Sequence, residues 1–168
     1  MARTALAGRS ADLARLGGID IAFPAQVDVR VADGSTVGFP TEPNTWARVA
    51  ERDALWLGPD EWLVVAAADT AEVIADLESS LAGSHHSVVD VSANRAVIEL
   101  PGAGRLELLS SACPIDLDPR SWNEGRCAQT LFGAAQVLLQ ERAEDTRLFV
   151  RPSFATYVVD LLLAGVQR

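Results

Sequence analysis

Between Trp62 and Leu131 the chain alternates strand and helix patterns in one order, and that order narrows its fold more than any other feature. The strand runs are Trp62-Leu63-Val64-Val65, Val88-Val89-Asp90-Val91, Ala96-Val97-Ile98-Glu99-Leu100 and Cys127 to Leu131. Each is short and rich in branched or aromatic side chains, and each is bounded by turn residues. The first helical pattern has Asp69 in the N-cap position and Glu72 three residues on to return the bond. Val73, Ile74, Leu77 and Leu81 then fall on one face, and Gly83 supplies a left-handed stop. The second follows Pro101-Gly102, places Leu106, Leu109 and Ala112 near one face, and must end at Pro114. Ser92, Ala93 and Asn94 read as the turn of a hairpin joining the two middle strands. Strand, helix, two strands, helix, strand is the ferredoxin-like βαββαβ arrangement, an antiparallel sheet with its helices on one face.

The flanks add to this core. Ile19, Ile21 and Phe23 alternate with other residues, as do Val27, Val29 and Val31, so both read as half-buried strands. Two prolines between Phe39 and Asn44 predict an extended loop. Leu55-Trp56-Leu57 pairs with the run at Trp62 across the turn Gly58-Pro59-Asp60-Glu61, where Pro59 has its φ already set. Cys127 to Leu131 turns at Gly133 into Gln136 to Gln140, and Leu148 to Arg151 forms one more strand. Ser153 caps a last helix carrying Phe154, Val158, Leu161 and Leu162 on one side, with Gly165 past its end. The reading is a single α+β domain over residues 1–168, with extra strands, a C-terminal helix and a loosely ordered stretch from Met1 to about Ser10.

Charge excludes several partners. All 14 basic residues are arginine, against 23 acidic ones, for a formal net charge of −9. Such a surface repels nucleic acid and anionic membrane. Without lysine there is neither a phosphate-binding P-loop nor a Schiff base. No apolar run approaches the roughly 20 residues of a membrane span. Met1 to Ser10 lacks a secretory apolar stretch, so a cytoplasmic location is expected. Cys113 and Cys127 are too few for a cysteine-rich zinc site or a disulfide framework.

Each candidate for chemistry has a plainer reading. Gly102-Ala103-Gly104 follows a strand and opens a helix, but Glu107 replaces the third glycine of a dinucleotide fingerprint and would oppose a pyrophosphate. His85 and His86 in one strand point to opposite faces and cannot share a metal; in a loop they could, with Asp90 nearby, but an exposed strand entry is the plainer reading. Cys113 sits at a helix end, where carbonyl dipoles disfavour a thiolate, and Cys127 falls in a strand; both read as structural. Trp46, Trp56, Trp62 and Trp122 read as core or as contact anchors, with Trp56 and Trp62 bracketing one turn. Asp60, Glu61, Asp116 and Asp118 read as solvated turn acids. No catalytic, cofactor-binding or metal-binding residue is expected on this chain.

Several motifs occur together in a familiar order. Leu55-Trp56-Leu57-Gly58-Pro59-Asp60-Glu61-Trp62-Leu63 resembles the signature of the gamma-subunit family of heterotetrameric sarcosine oxidases. Val89-Asp90-Val91-Ser92 with Asn94-Arg95 follows, then Leu100-Pro101-Gly102, Cys113-Pro114-Ile115-Asp116-Leu117, Gly125 to Thr130, and Arg151 with Ser153-Phe154-Ala155. The family is similar to the folate-binding domains of aminomethyltransferases, the glycine-cleavage T-protein among them. In one place the chain departs from the pattern, because Pro152 stands between Arg151 and Ser153.

The resemblance implies a non-catalytic subunit of a flavoenzyme complex that oxidatively demethylates sarcosine to glycine. Tetrahydrofolate takes the one-carbon unit and hydrogen peroxide forms. FAD, FMN, NAD, tetrahydrofolate and zinc would then belong to the alpha, beta and delta partner subunits, with this chain packed against the large folate-binding one. Its interface candidates are Trp56, Asp60, Trp62, Arg95 and Arg151. The alternative is a stand-alone folate- or carboxylate-binding module of the aminomethyltransferase type, in which Arg95 and Arg151 clamp a glutamyl carboxylate.

Overall fold

The computed structural model describes residues 4–21 and 24–166. In chain order the elements are α1 (Ser10–Arg15), β1 (Ile19–Ile21), β2 (Ala25–Val31), a single 3-10 turn (Gly34–Val37), β3 (Trp46–Val49), β4 (Arg52–Gly58), β5 (Glu61–Ala66) and α2 (Thr70–Ser80). They continue with β6 (His86–Asp90), β7 (Ala96–Pro101), α3 (Arg105–Ser110), β8 (Cys127–Phe132), β9 (Ala135–Glu141), β10 (Asp145–Val150) and α4 (Pro152–Val166). The chain is therefore α+β, with antiparallel sheets and a C-terminal helix. Contacts cluster into two compact units, Pro24–Ala93 and Met1–Phe23 with Asn94–Arg168. No helix among the described residues is long and apolar enough to cross a membrane.

The Pro24–Ala93 unit holds a five-stranded antiparallel sheet in the order β3-β4-β5-β2-β6. Its hairpin β4–β5 is the one read from Gly58-Pro59-Asp60-Glu61, and Trp56 lies opposite Trp62 just before a bulge. Asp69 caps α2 as expected: its carboxylate accepts the backbone N–H groups of Ala71 at 2.9 Å and Glu72 at 3.4 Å. The cap satisfies donors that a helix start leaves orphaned. Val73, Leu77 and Leu81 then pack on Val27, Val29, Ala54, Trp62 and Val64 from one sheet face. Burying each such aliphatic side chain contributes about 1.5–3 kcal/mol.

The second unit carries the order β1-β7-β10-β9-β8, also antiparallel throughout. Ile98, Leu100, Leu139, Leu148 and Val150 point to the face covered by the helices, where they meet Leu13, Leu109, Val158 and Leu162. Gly133, at φ +58°, makes the β8–β9 turn that the sequence predicts.

Two expectations differ from what forms. The β6–β7 hairpin does not exist: β6 pairs with β2, from Val27↔Asp90 to Val31↔His86, while β7 pairs with β1 and β10. The strand and helix order from Trp62 to Leu131 is present, but its strands divide between two sheets, so the ferredoxin-like pairing is not made. Alternation fixes which face a strand buries, not which strand lies beside it. Within the N-terminal stretch Leu6 is fully buried and Ser10 opens α1; Met1 to Arg3 lie outside the described residues. Phe23, assigned to the first strand, lies outside them as well, and β1 ends at Ile21.

The last helix also differs. Pro152 is its first residue, a position where the missing N–H costs nothing. Phe154 is exposed, whereas Ala155, Val158, Val159 and Leu162 face the core. Gly165 lies inside α4 rather than past its end. A Cβ there would meet Leu108 Cδ1 at 2.8 Å and Ser111 Oγ at 3.1 Å, so this glycine permits the close approach of α3 and α4.

Candidate functional site

β7 and β10 run antiparallel with Ala96 opposite Val150. One residue outward from that pair, Arg95 precedes β7 and Arg151 follows β10. Both line a depression of about 440 Å³ on the β10-β9-β8 side of the sheet, with Gln129, Thr130, Leu131, Gln136, Val137, Leu138 and Phe149. Strand alternation sends Phe149 and Leu138 to the sheet face opposite the helices, where both are buried. Glutamine amides and two guanidinium groups surround this apolar base, and none of the described lining residues is acidic.

The opposite end of the same strand pair is built differently. Glu141, 2% exposed, ends β9. One of its oxygens accepts Arg105 Nη2 at 2.5 Å, and the other accepts Trp122 Nε1 at 3.0 Å and the Thr146 hydroxyl. Arg105 also donates to Thr146 Oγ1 at 3.1 Å and to the Gly102 carbonyl at 2.9 Å. Nearby, Glu99 accepts from Arg147 at 3.0 Å and Arg142 at 3.3 Å, while Arg142 also reaches Asp145 at 3.1 Å. Burial pushes the Asp145 carboxyl above the usual carboxylate range, against the pull of the Arg142 charge. This network holds the start of α3 to the β9–β10 turn. Neither Arg105 nor Glu141 stands out in the sequence, because 36 residues separate them and no local pattern joins them.

In the other unit Asp90-Val91-Ser92 forms a turn clamp. Ser92 Oγ donates to Asp90 Oδ1 at 2.6 Å and accepts the Gln26 N–H at 3.0 Å, and Ser92 N–H also reaches Asp90 at 2.9 Å. These bonds favour the ionised form and hold the Asp90 carboxyl below its ordinary range. The contact with Gln26 secures the end of β6 beside β2, a structural task.

Trp62 is 1% exposed; its Nε1 donates to the Pro40 carbonyl at 2.8 Å and its ring lies 5.7 Å from Phe39. Trp62, named among the interface candidates, is packed into the core of this chain. Trp56 is half-buried against the same core. Asp60 is exposed, with Arg30 at 3.8 Å. Glu61, which Arg30 holds at 2.7 Å, has its carboxyl raised by burial and by the neighbouring charge of Asp28. His86 bonds to the Ser84 carbonyl and to Glu78 at 2.8 Å, and the Glu78 contact raises its pKa. Cys113 and Cys127 are buried free thiols.

The Gly102-Ala103-Gly104 entry does not fit a dinucleotide. The helix after Gly102-Ala103-Gly104 is only six residues long, carries Glu107 in its first turn, and has Arg105 bonded back to Gly102. Among the described residues no group of three or more His, Cys, Asp or Glu side chains converges to take a metal ion.

Comparison with known proteins agrees across both units. The profile of the sarcosine oxidase, gamma subunit family matches residues 19–166. Curated sarcosine oxidase gamma subunits from Arthrobacter sp. and Corynebacterium sp. (strain P-1) are 33% and 34% identical, covering 85% and 89% of this chain and 78% and 79% of their own lengths. A chain of the heterotetrameric sarcosine oxidase from Corynebacterium sp. U-96 superposes with a TM-score of 0.89 at 28% identity, covering 99% of this chain and 95% of that one. The glycine cleavage aminomethyltransferase T of Bartonella henselae shares the fold, with a TM-score of 0.66 at 12% identity, over 89% of this chain and 46% of that one. The profile and the identities run through both sheets, and the chain belongs to the sarcosine oxidase gamma subunit family.

Proposed function

We propose that this chain is a non-catalytic subunit of a heterotetrameric sarcosine oxidase. In this reading it packs against the large folate-binding subunit and supports it while the complex demethylates sarcosine to glycine. Tetrahydrofolate takes the one-carbon unit, and FAD, FMN, NAD and zinc are carried by the alpha, beta and delta subunits in the cytoplasm. The observation that carries the reading is the near-complete superposition, TM-score 0.89, on a chain of such an enzyme. The side chains that cluster here support it: Arg105–Glu141–Trp122 and Asp90–Ser92 are spent on holding backbone segments together.

Co-expression with candidate alpha, beta and delta subunits tests it. The complex should co-elute on a sizing column, and the complex without this chain should lose thermal stability, since a partner that binds only the folded state stabilises it. A chain that never co-elutes with them, or that oxidises sarcosine alone, defeats the proposal.

A further inference from the structure

Within the Pro24–Ala93 unit, β6 is the outer strand of its sheet and pairs with β2. Its first residue, His86, lies opposite Val31, so strand alternation turns both toward the face that α2 covers. There Nδ1 of the ring lies 2.8 Å from the Ser84 carbonyl oxygen, and Nε2 lies 2.8 Å from a Glu78 carboxylate oxygen on α2. Neither partner has a proton to give, because a backbone carbonyl and an ionised carboxylate only accept. A neutral imidazole carries one N–H and satisfies one of them; the imidazolium carries two and satisfies both. The other charged groups on the packed elements are placed elsewhere. On α2, Asp76 pairs with Arg52, and Asp69 and Glu72 stand at the opposite end of the helix. On β2, Asp28 and Arg30 alternate onto the other sheet face, where Arg30 meets Glu61. Asp90, at the far end of β6, bonds to Ser92.

We propose that His86 is a pH-dependent latch: doubly protonated, it ties the end of α2 to the start of β6 through both ring nitrogens, and on losing a proton it must release one of the two. The segment it closes runs from Leu81 to His85 and includes Gly83 at φ +94° and a turn bond from the Ser84 N–H to the Leu81 carbonyl at 3.0 Å. The Glu78 bond, and after it the Ser84 carbonyl, raises the imidazole pKa above its ordinary value, so release comes at higher pH than for a free histidine. Below about pH 6.5 the latch contributes in full, and its contribution is lost as pH rises through the folded value. All of its parts lie in one compact unit of this chain, so it works with or without other subunits.

The chain has two histidines, so the full-length His85→Gln chain carries His86 as its one imidazole. Long-range proton–nitrogen NMR spectra across about pH 5 to 9 read its two ring nitrogens directly. The doubly protonated ring should still predominate at about pH 6.5, with the titration centred above that value. Protection of the Ser84 amide against hydrogen exchange, corrected for the intrinsic rise with pH, should fall as the ring loses its proton. Glu78→Gln, which removes the carboxylate charge, should move the titration to lower pH and leave the circular dichroism spectrum in place. In urea unfolding the advantage of the wild type over His86→Gln should shrink as pH rises above about 6.5. A ring that is mostly neutral at about pH 6.5 overturns the proposal. So does a Glu78→Gln chain that titrates where its parent does, Ser84 protection that ignores the charge on the ring, or a urea advantage that stays constant with pH.

Discussion

The two ends of the β7–β10 strand pair use arginine in opposite ways. At one end Arg105, Arg142 and Arg147 each reach a carboxylate of their own unit, on Glu141, Asp145 or Glu99. At the other, Arg95 and Arg151 line a depression with no acidic residue among the described ones. Residue type alone does not separate these roles. A guanidinium matched inside the fold is part of its architecture, and removing its partner leaves a charge with nowhere to go. A guanidinium on the rim of an open hollow gives up less when it is replaced, because water can take over its hydrogen bonds.

The sharpest break of this contrast is Glu141→Ala. It strands Arg105, whose side chain is only 13% exposed, and removes the acceptor of Trp122 and Thr146. The expected loss is about 3–5 kcal/mol in urea unfolding; a loss under about 1 kcal/mol would show that this end is not held by its charges. Trp122→Phe, which removes a single donor to the same carboxylate, should cost about 2 kcal/mol by the same measurement. Arg151→Gln, at the other end, should leave the unfolding free energy within about 0.5 kcal/mol of wild type. A large destabilisation there would make the two ends alike.

The smallest effect is a pair of opposite pH dependences. Burial raises the Asp145 carboxyl above its unfolded value, so its favourable contribution is complete below about pH 3.9 and fades as pH rises through the folded value. The stability of the wild type relative to Asp145→Asn should therefore fall as pH rises above about 3.9. The Ser92 bonds lower the Asp90 carboxyl, so its contribution is present above about pH 3.9 and lost as pH falls through the folded value. Relative to Asp90→Asn the wild type should gain as pH rises over the acid range. Parallel slopes in the two series would refute the assignment of burial to one carboxyl and hydrogen bonding to the other.

Legibility in the sequence followed range. The Asp69 cap, the β4–β5 turn and the Gly133 turn are all settled within a few residues, and the motifs around them announced the family. The short helix α1 and strand β3 were missed, because six and four residues carry too little periodicity to register. Trp62 read as core before anchor, although an indole at the end of a hairpin serves either; its bond to the Pro40 carbonyl, 22 residues away, fixes it in the core. Arg95 and Arg151 were paired only through the family resemblance; their meeting in one hollow depends on β7 lying beside β10.

By itself, then, the sequence determined the class of fold, most of the elements with the faces they bury, and the family. These depend on spacing along the chain and on local hydrogen bonds, which act over one turn or one hairpin. Tertiary structure alone decided that β6 joins β2 while β7 joins β1 and β10, that Arg105 finds Glu141, and that two arginines share a hollow. Those outcomes depend on which distant apolar faces close on one another. An alternating strand presents much the same edge to any neighbour, so its partner is chosen by the core as a whole.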